Sequence, residues 1–177
     1  MYFPMSKLNN ILLSLIVLLL VFPVLSSAGQ FRITMVYDGD TVKAETPEIV
    51  IYIMLVGIDA PEVSNRPDGT HQPFAQAAKR FLSTIVLNKT VVVKGYGTMP
   101  YPDNHIISEI YLDGKNVNLE MVKHGMAEAQ RENLPKGFEI EPYLKAEEEA
   151  RRVRNGMWVL KQEYISPRKW RKTLRGN

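Results

Sequence analysis

The sequence predicts an α+β domain: a small, partly open barrel of five short strands, with about three helices inserted and appended. Three observations carry the prediction. Runs rich in β-branched and aromatic residues dominate the first part of the chain after residue 30. Helical apolar faces dominate the second part, and strands followed by helices argue for α+β rather than alternating α/β. The chain of 177 residues contains no cysteine, so packing alone must hold it together.

Residues 1–28 read as a signal peptide. Lys7 is its lone charge, the run from Ile11 to Leu25 is apolar except for Ser14 and Pro23, and Ser26-Ser27-Ala28 offers small residues for cleavage. That run falls short of the ~20 residues a spanning helix needs. Export to the periplasm or the medium is therefore expected. An uncleaved anchor is the alternative, and only that alternative brings the protein to a membrane. The roughly 150 residues beyond Ala28 suit one compact domain, a monomer over residues 29–165. A basic tail follows over residues 166–177.

The strands are expected at Phe31 to Tyr37, Thr41 to Ala44, Ile49 to Ile58, Thr90 to Lys94 and Ile106 to Leu112. Asp38-Gly39 reads as a two-residue hairpin turn with positive φ. The unbroken apolar run from Ile49 to Ile58 predicts one strand covered on both faces. Pro73 to Leu87 places Phe74, Ala77, Ala78, Phe81, Leu82 and Ile85 on one helical face. Gly95 to Asn104 reads as a loop, Lys115 to Val117 as a short strand and Asn118 to Met126 as a short helix. A longer helix is expected from Pro142 to Trp158, burying Tyr143, Ala146, Ala150, Val153 and Met157. Five short strands with helices so placed fit a barrel of the OB type.

Charge says more by position than by total. The formal net charge is only +3, weak evidence for a polyanionic partner. Arg168, Lys169, Arg171, Lys172 and Arg175, however, crowd the end of the chain with no acid among them. Such a tail attracts phosphate, or anionic lipid, or else is simply a frayed soluble terminus.

Two acidic clusters stand at expected strand ends: Asp38-Gly39-Asp40-Thr41 and Asp59-Ala60-Pro61-Glu62. Carboxylates meeting at one rim make a hard oxygen site suited to Ca²⁺ or Mg²⁺. Taken alone, each cluster is also an ordinary turn or strand end. With no cysteine and only His71, His105 and His124, a soft metal site is disfavoured. His71 and His124 read as surface residues, Trp158 as core, and Trp170 as a packing anchor for the tail.

Together, "VYDGDTVKA" and "LVGIDAPE" resemble the staphylococcal nuclease (thermonuclease-like) family. Colinear matches continue through "AAKRFLSTIVLNKTVVV", "IYLDGKNVNLEMVKHGMAEA", "PKGFEIEPYLKAEEEARR", "NGMW" and "SPRKWRK", covering essentially Phe31 to Lys172. The resemblance implies an OB-type barrel with three helices and Ca²⁺-dependent endonuclease activity on DNA or RNA. It implies Asp40 and Asp59 as metal ligands, with the backbone carbonyl of Ala60, where some relatives have threonine. Glu62 would orient or deprotonate the attacking water, and Asp38 and Thr41 would support the site. Tyr96 and Tyr101, in the neighbouring loop, could face a substrate.

Two arginines of the family pattern are missing. Met54 stands at the first position, five residues before Asp59, and His105 at the second. Methionine offers neither charge nor a guanidinium fork, and histidine is mostly neutral at pH 7. The tyrosine that many relatives carry near the end of the "GMAEA" segment is replaced by Gln130. The sequence thus retains acids for a metal with no guanidinium set against them, and little phosphodiesterase activity is expected unless the ammonium group of Lys43 or Lys94 reaches in. Three readings stand open: a nuclease of impaired or altered activity using His105 or a lysine, a catalytically degenerate module that binds nucleic acid or another polyanion, and an exported protein-interaction domain.

Overall fold

A computed structural model describes residues 29–64, 70–98 and 105–175. The expected leader at residues 1–28, together with Arg66 and Tyr101, lies outside the described residues.

Alternating burial builds the barrel. Its strands are β1 (Gly29–Val36), β2 (Thr41–Glu45), β3 (Val50–Leu55), β5 (Thr90–Thr98) and β6 (His105–Leu112). Strand β2 turns Val42 and Ala44 inward, and β3 turns Ile51, Ile53 and Leu55 inward, while Lys43 and Tyr52 lie on the other face. In β1, Ile33 and Val36 are both buried although three residues apart, because the register shifts between Ile33 and Met35. Each such side chain contributes about 1.5–3 kcal/mol when fully buried. The strands pair antiparallel in the order β3-β2-β1-β5-β6, and a parallel pairing of β3 with β6 closes the ring. This is the predicted OB-type barrel, closed rather than partly open.

Short strands β4 (Ile58–Asp59), β7 (Lys115–Asn116) and β8 (Glu128–Ala129) complete the sheets, with β4 paired to β8. Helix α1 (Ala75–Val86) covers the barrel with Ala75, Ala78, Leu82 and Val86. Helix α2 (Val117–Lys123) is capped by the Asn116 side chain, which accepts the N–H of Leu119. Helix α3 (Glu141–Arg152) buries Tyr143 and Ala150. A 3₁₀ segment (Gly156–Glu163) and helix α4 (Pro167–Arg175) end the described chain. Among the described residues, no helix is long and apolar enough to cross a membrane.

Four boundaries differ from the sequence reading, each for a tertiary reason. The apolar run at 49–58 is not one strand. Gly57 takes φ +78, and a Cβ there would lie 2.2 Å from the Phe138 ring. The chain turns under that ring and restarts as β4. The buried amide of Asn118 secures the turn by donating to the carbonyls of Val56 (2.9 Å) and Ser108 (3.0 Å). Strand β5 continues to Thr98 through an irregularity between Gly95 and Gly97, shortening the expected loop. The helix after Pro142 stops at Arg152 and leaves Val153 exposed. It stops because Gly125 and Gly156 bring two backbones together: a Cβ on Gly156 would lie 2.3 Å from the Gly125 carbonyl oxygen. Lastly, the basic tail is no frayed terminus but the helix α4.

Buried Glu109 ties the barrel to α3. It accepts hydrogen bonds from Lys94 (3.0 Å), Tyr96 (2.8 Å), Tyr111 (3.0 Å), Asn116 (2.8 Å) and Tyr143 (2.8 Å). Burial alone would raise its pKa; the donors outweigh that and hold it below the ordinary 4.5. A carboxylate depressed in this way stabilises the fold above pH 4.5, and the contribution fades as pH falls through the folded-state value. Glu109→Gln should therefore destabilise the protein by about 1.5–3 kcal/mol at pH 7. Urea unfolding at pH 7 and near pH 3 should show that gap narrowing in acid.

Candidate functional site

The first acidic loop is built differently from a two-residue hairpin. Neither Asp38 nor Gly39 has positive φ. Instead one carboxylate oxygen of Asp38 accepts the N–H groups of Asp40 (3.0 Å) and Thr41 (2.7 Å), while Tyr37 N–H bonds the Thr41 carbonyl (2.9 Å). Gly39 is required by space. A Cβ there would lie 2.6 Å from the Cβ of Ala60 and 2.8 Å from that of Ala78. The loop therefore slots between α1 and the second acidic segment.

Asp40 joins the two segments. Its Oδ2 accepts the N–H of Ala60 (2.8 Å), twenty residues on, and its Oδ1 accepts the Thr41 hydroxyl (3.1 Å). Its own carbonyl accepts the N–H of Leu55 (2.8 Å). Asp59 ends β4, and Pro61 carries the chain to Glu62. Gln72 then holds Glu62 by its backbone: the Gln72 Oε1 accepts the Glu62 N–H (3.0 Å), and Gln72 N–H bonds the Glu62 carbonyl (3.0 Å). The structure thus brings Asp38, Asp40, Thr41, Asp59, Ala60 and Glu62 to one rim of the barrel.

A guanidinium does face these acids, contrary to the sequence expectation. Arg171, on α4, donates from Nη1 to Asp59 Oδ1 (2.8 Å) and from Nη2 to Asp59 Oδ2 (2.8 Å), and its Nη1 also meets Glu62 Oε1. It arrives across more than one hundred residues of sequence, so no local spacing could have announced it. The one sequence signal was the acid-free run of cations at the chain's end. Gln72 was missed as well. Its Nε2 donates to the Ile165 carbonyl (2.7 Å), linking the Glu62 segment to the base of α4.

The electrostatics are those of crowded negative charge. Burial, reinforced by the charge of Asp38 and that of Asp59, pushes the Asp40 carboxyl well above its ordinary range. Burial likewise raises Glu62, although Arg171 opposes the shift. Bonds to Asp59 first, and to Glu62, hold Arg171 firmly charged. Tyr164 donates to nearby Glu128 (2.6 Å), which burial also raises.

The remaining sequence candidates lie around the rim or away from it. Met54 pairs in register with Thr41, one residue from Asp40. His105 stacks on Tyr52, with ring centroids 4.8 Å apart and 11° between planes, and Tyr37 lies 6.0 Å beyond Tyr52. Tyr96 and Lys94 are committed to Glu109. Arg131 pairs with Glu147 and with the Ala129 carbonyl. Trp158 is core, and Trp170 is half-buried with its indole nitrogen enclosed. His71 is half-buried and accepts the Ser64 N–H (3.0 Å), pinning the loop after Glu62.

The donors present suit a hard cation in kind: every one is oxygen, and Asp59 and Glu62 already converge on one cationic group. Among the described residues, no group of three or more His, Cys, Asp or Glu able to hold a metal ion is gathered.

Comparisons with known proteins point to one family. The family described as staphylococcal nuclease homologue matches residues 52–160. An uncharacterized endonuclease of Haemophilus influenzae is 35% identical over 161 residues, covering 88% of this chain and 82% of that protein. An uncharacterized endonuclease of Escherichia coli is 30% identical over 146 residues, covering 81% and 86%. A Komagataella phaffii protein with the name probable endonuclease LCL3 is 31% identical over 135 residues, covering 67% and 57%.

Burial and its acidic neighbours make the charged form of Asp40 unfavourable in the cation-free fold. A carboxyl raised in the folded state destabilises that state at any pH where it must ionise. Asp40→Asn should therefore raise stability at pH 7 without divalent cation by about 0.5–2 kcal/mol, and the gain should vanish near pH 3. Thermal melting at both pH values in chelator measures it.

Proposed function

This chain belongs to the family of staphylococcal nuclease homologues, and from that premise we propose that it is an exported, divalent-cation-dependent phosphodiesterase acting on DNA or RNA. One observation supports the reading above the others. Asp59 and Glu62 meet on a single cationic group, with the Asp40 carboxylate bound to the adjoining Ala60 amide. Side chains so crowded call for a cation that carries more than one charge.

Asp40, Asp59 and the Ala60 carbonyl are the groups to hold Ca²⁺ or Mg²⁺. When bound, such an ion supplies charge to draw in and polarise a phosphodiester. Asp38 and Thr41 keep Asp40 in place through the loop bonds above. Glu62 takes the proton of the attacking water. Its raised pKa makes it a stronger base than an exposed glutamate, and Gln72 fixes the backbone from which it reaches.

Beside the acids, the outer barrel face presents Met54, Tyr52 and His105 in place of two strand-borne guanidinium groups. Each such preorganised donor is worth ~10²–10³ in rate. Turnover is therefore lower than in a relative carrying both. Export follows from the leader at residues 1–28 and is consistent with a fold free of cysteine.

Digestion of single-stranded DNA with millimolar Ca²⁺, against the same reaction in chelator, tests the reading. Cleavage should require the cation, fall at least ~10²-fold in Glu62→Gln, and rise in Met54→Arg. The melting temperature should rise with Ca²⁺, because an ion that binds the folded state alone must stabilise it. Salt-sensitive retention on DNA with no cleavage would assign the domain instead to polyanion binding. No melting response at millimolar Ca²⁺ would remove the cation site.

A further inference from the structure

Helix α4 is seated by contacts that do not involve Arg171. Pro167 is buried, Trp170 packs with its indole nitrogen enclosed, and Arg168 pairs with Glu132. Immediately before the helix, Gln72 holds the Ile165 carbonyl and Tyr164 holds Glu128. Breaking the ion pairs of Arg171 alone therefore leaves the helix where it is, with a guanidinium still at the rim.

Those ion pairs use the oxygens a cation would need. Both carboxylate oxygens of Asp59 and one of Glu62 are taken by Arg171. A divalent cation competes with Arg171 for these oxygens, and the cation brings the higher charge. Once displaced, the fork has an outlet. The Arg171 side chain is 39% exposed, and it edges an open groove of roughly 410 Å³ lined by the acids Asp59, Glu128 and Glu132 as well as by Gln130, Arg131 and Arg168. That is room for a nucleotide-sized group. A planar fork released from one carboxylate is matched in geometry to the next anion to arrive, a phosphodiester oxygen pair.

We propose that Arg171 is a catalytic residue that exchanges partners: it holds Asp59 and Glu62 until a divalent cation binds, then turns its guanidinium to the phosphodiester, supplying from the C-terminal helix what Met54 does not supply from the strand. The inference rests on the phosphodiesterase reading above and adds to it a residue and an order of events. In the empty site Arg171 offsets the repulsion between the carboxylates. In the filled site it binds substrate.

Calorimetric Ca²⁺ titration and single-stranded DNA cleavage, run on Arg171→Gln and Arg171→Lys, test this. Relative to wild type, Arg171→Gln should bind Ca²⁺ roughly tenfold or more tightly, since a charge-assisted competitor is gone. Its kcat should nevertheless fall ~10²–10³-fold. Arg171→Lys should bind Ca²⁺ nearly as wild type does, yet remain slow for want of the fork. Both variants should keep the wild-type circular dichroism spectrum, because α4 is seated by its other contacts. Unchanged Ca²⁺ affinity in Arg171→Gln would overturn the exchange. Equal or faster cleavage would overturn it too, leaving Arg171 as no more than a plug. Failure of wild type itself to bind Ca²⁺ removes the underlying reading and this inference with it. Failure confined to the Arg171 variants leaves that reading standing.

Discussion

Four carboxylates on one rim need a positive charge, and much of the structure around Asp38, Asp40, Asp59 and Glu62 answers that need. Asp38 spends one oxygen on two backbone N–H groups, and Asp40 leans on the Ala60 amide and the Thr41 hydroxyl. These neutral donors soften the repulsion without cancelling it, and Asp40 remains reluctant to ionise. Among the described residues, Arg171 is the cation bonded to these acids, and it spans Asp59 and Glu62.

The barrel makes such crowding affordable. Closure by the β3–β6 pairing fixes the strand ends, and the buried core of Ile33, Ile53, Leu55 and Ile110 offsets what the acids cost. Small residues then bring the acidic segments together: Gly39 lies against Ala60 and Ala78 with no room for a side chain. The kink at Gly57 starts a new strand on β8, so that Asp59 leaves the barrel wall and faces the segment where Glu128 and α4 lie. A site of this kind depends as much on alanine and glycine as on the carboxylates they support.

Helix α4 changes the meaning of the missing arginines. Strand-borne guanidinium groups would stay in place whether or not the site is filled. One carried on a terminal helix can sit on the carboxylates in one state and on a phosphate in another, because its seat is set by Trp170, Ile165 and Arg168 rather than by its own ion pairs. Coupling between filling the site and arming it would follow from that placement alone.

Local pattern determined a good deal. β-Branched and aromatic runs marked the barrel strands, helical spacing placed Ala78 and Leu82 on the buried side of α1, and two acidic tetrapeptides at strand ends marked the segments that meet at the rim. These are readable because each rests on contacts within a few residues or on one repeating face. Tertiary structure decided the rest: that the run at 49–58 breaks where the Phe138 ring presses on Gly57, that the helix from Glu141 stops where Gly125 meets Gly156, and that a tail suited to a frayed end folds back over Asp59 and Glu62. In each case the deciding atom comes from a distant part of the chain, and a sequence records neither which remote groups will touch nor which charge will find its partner.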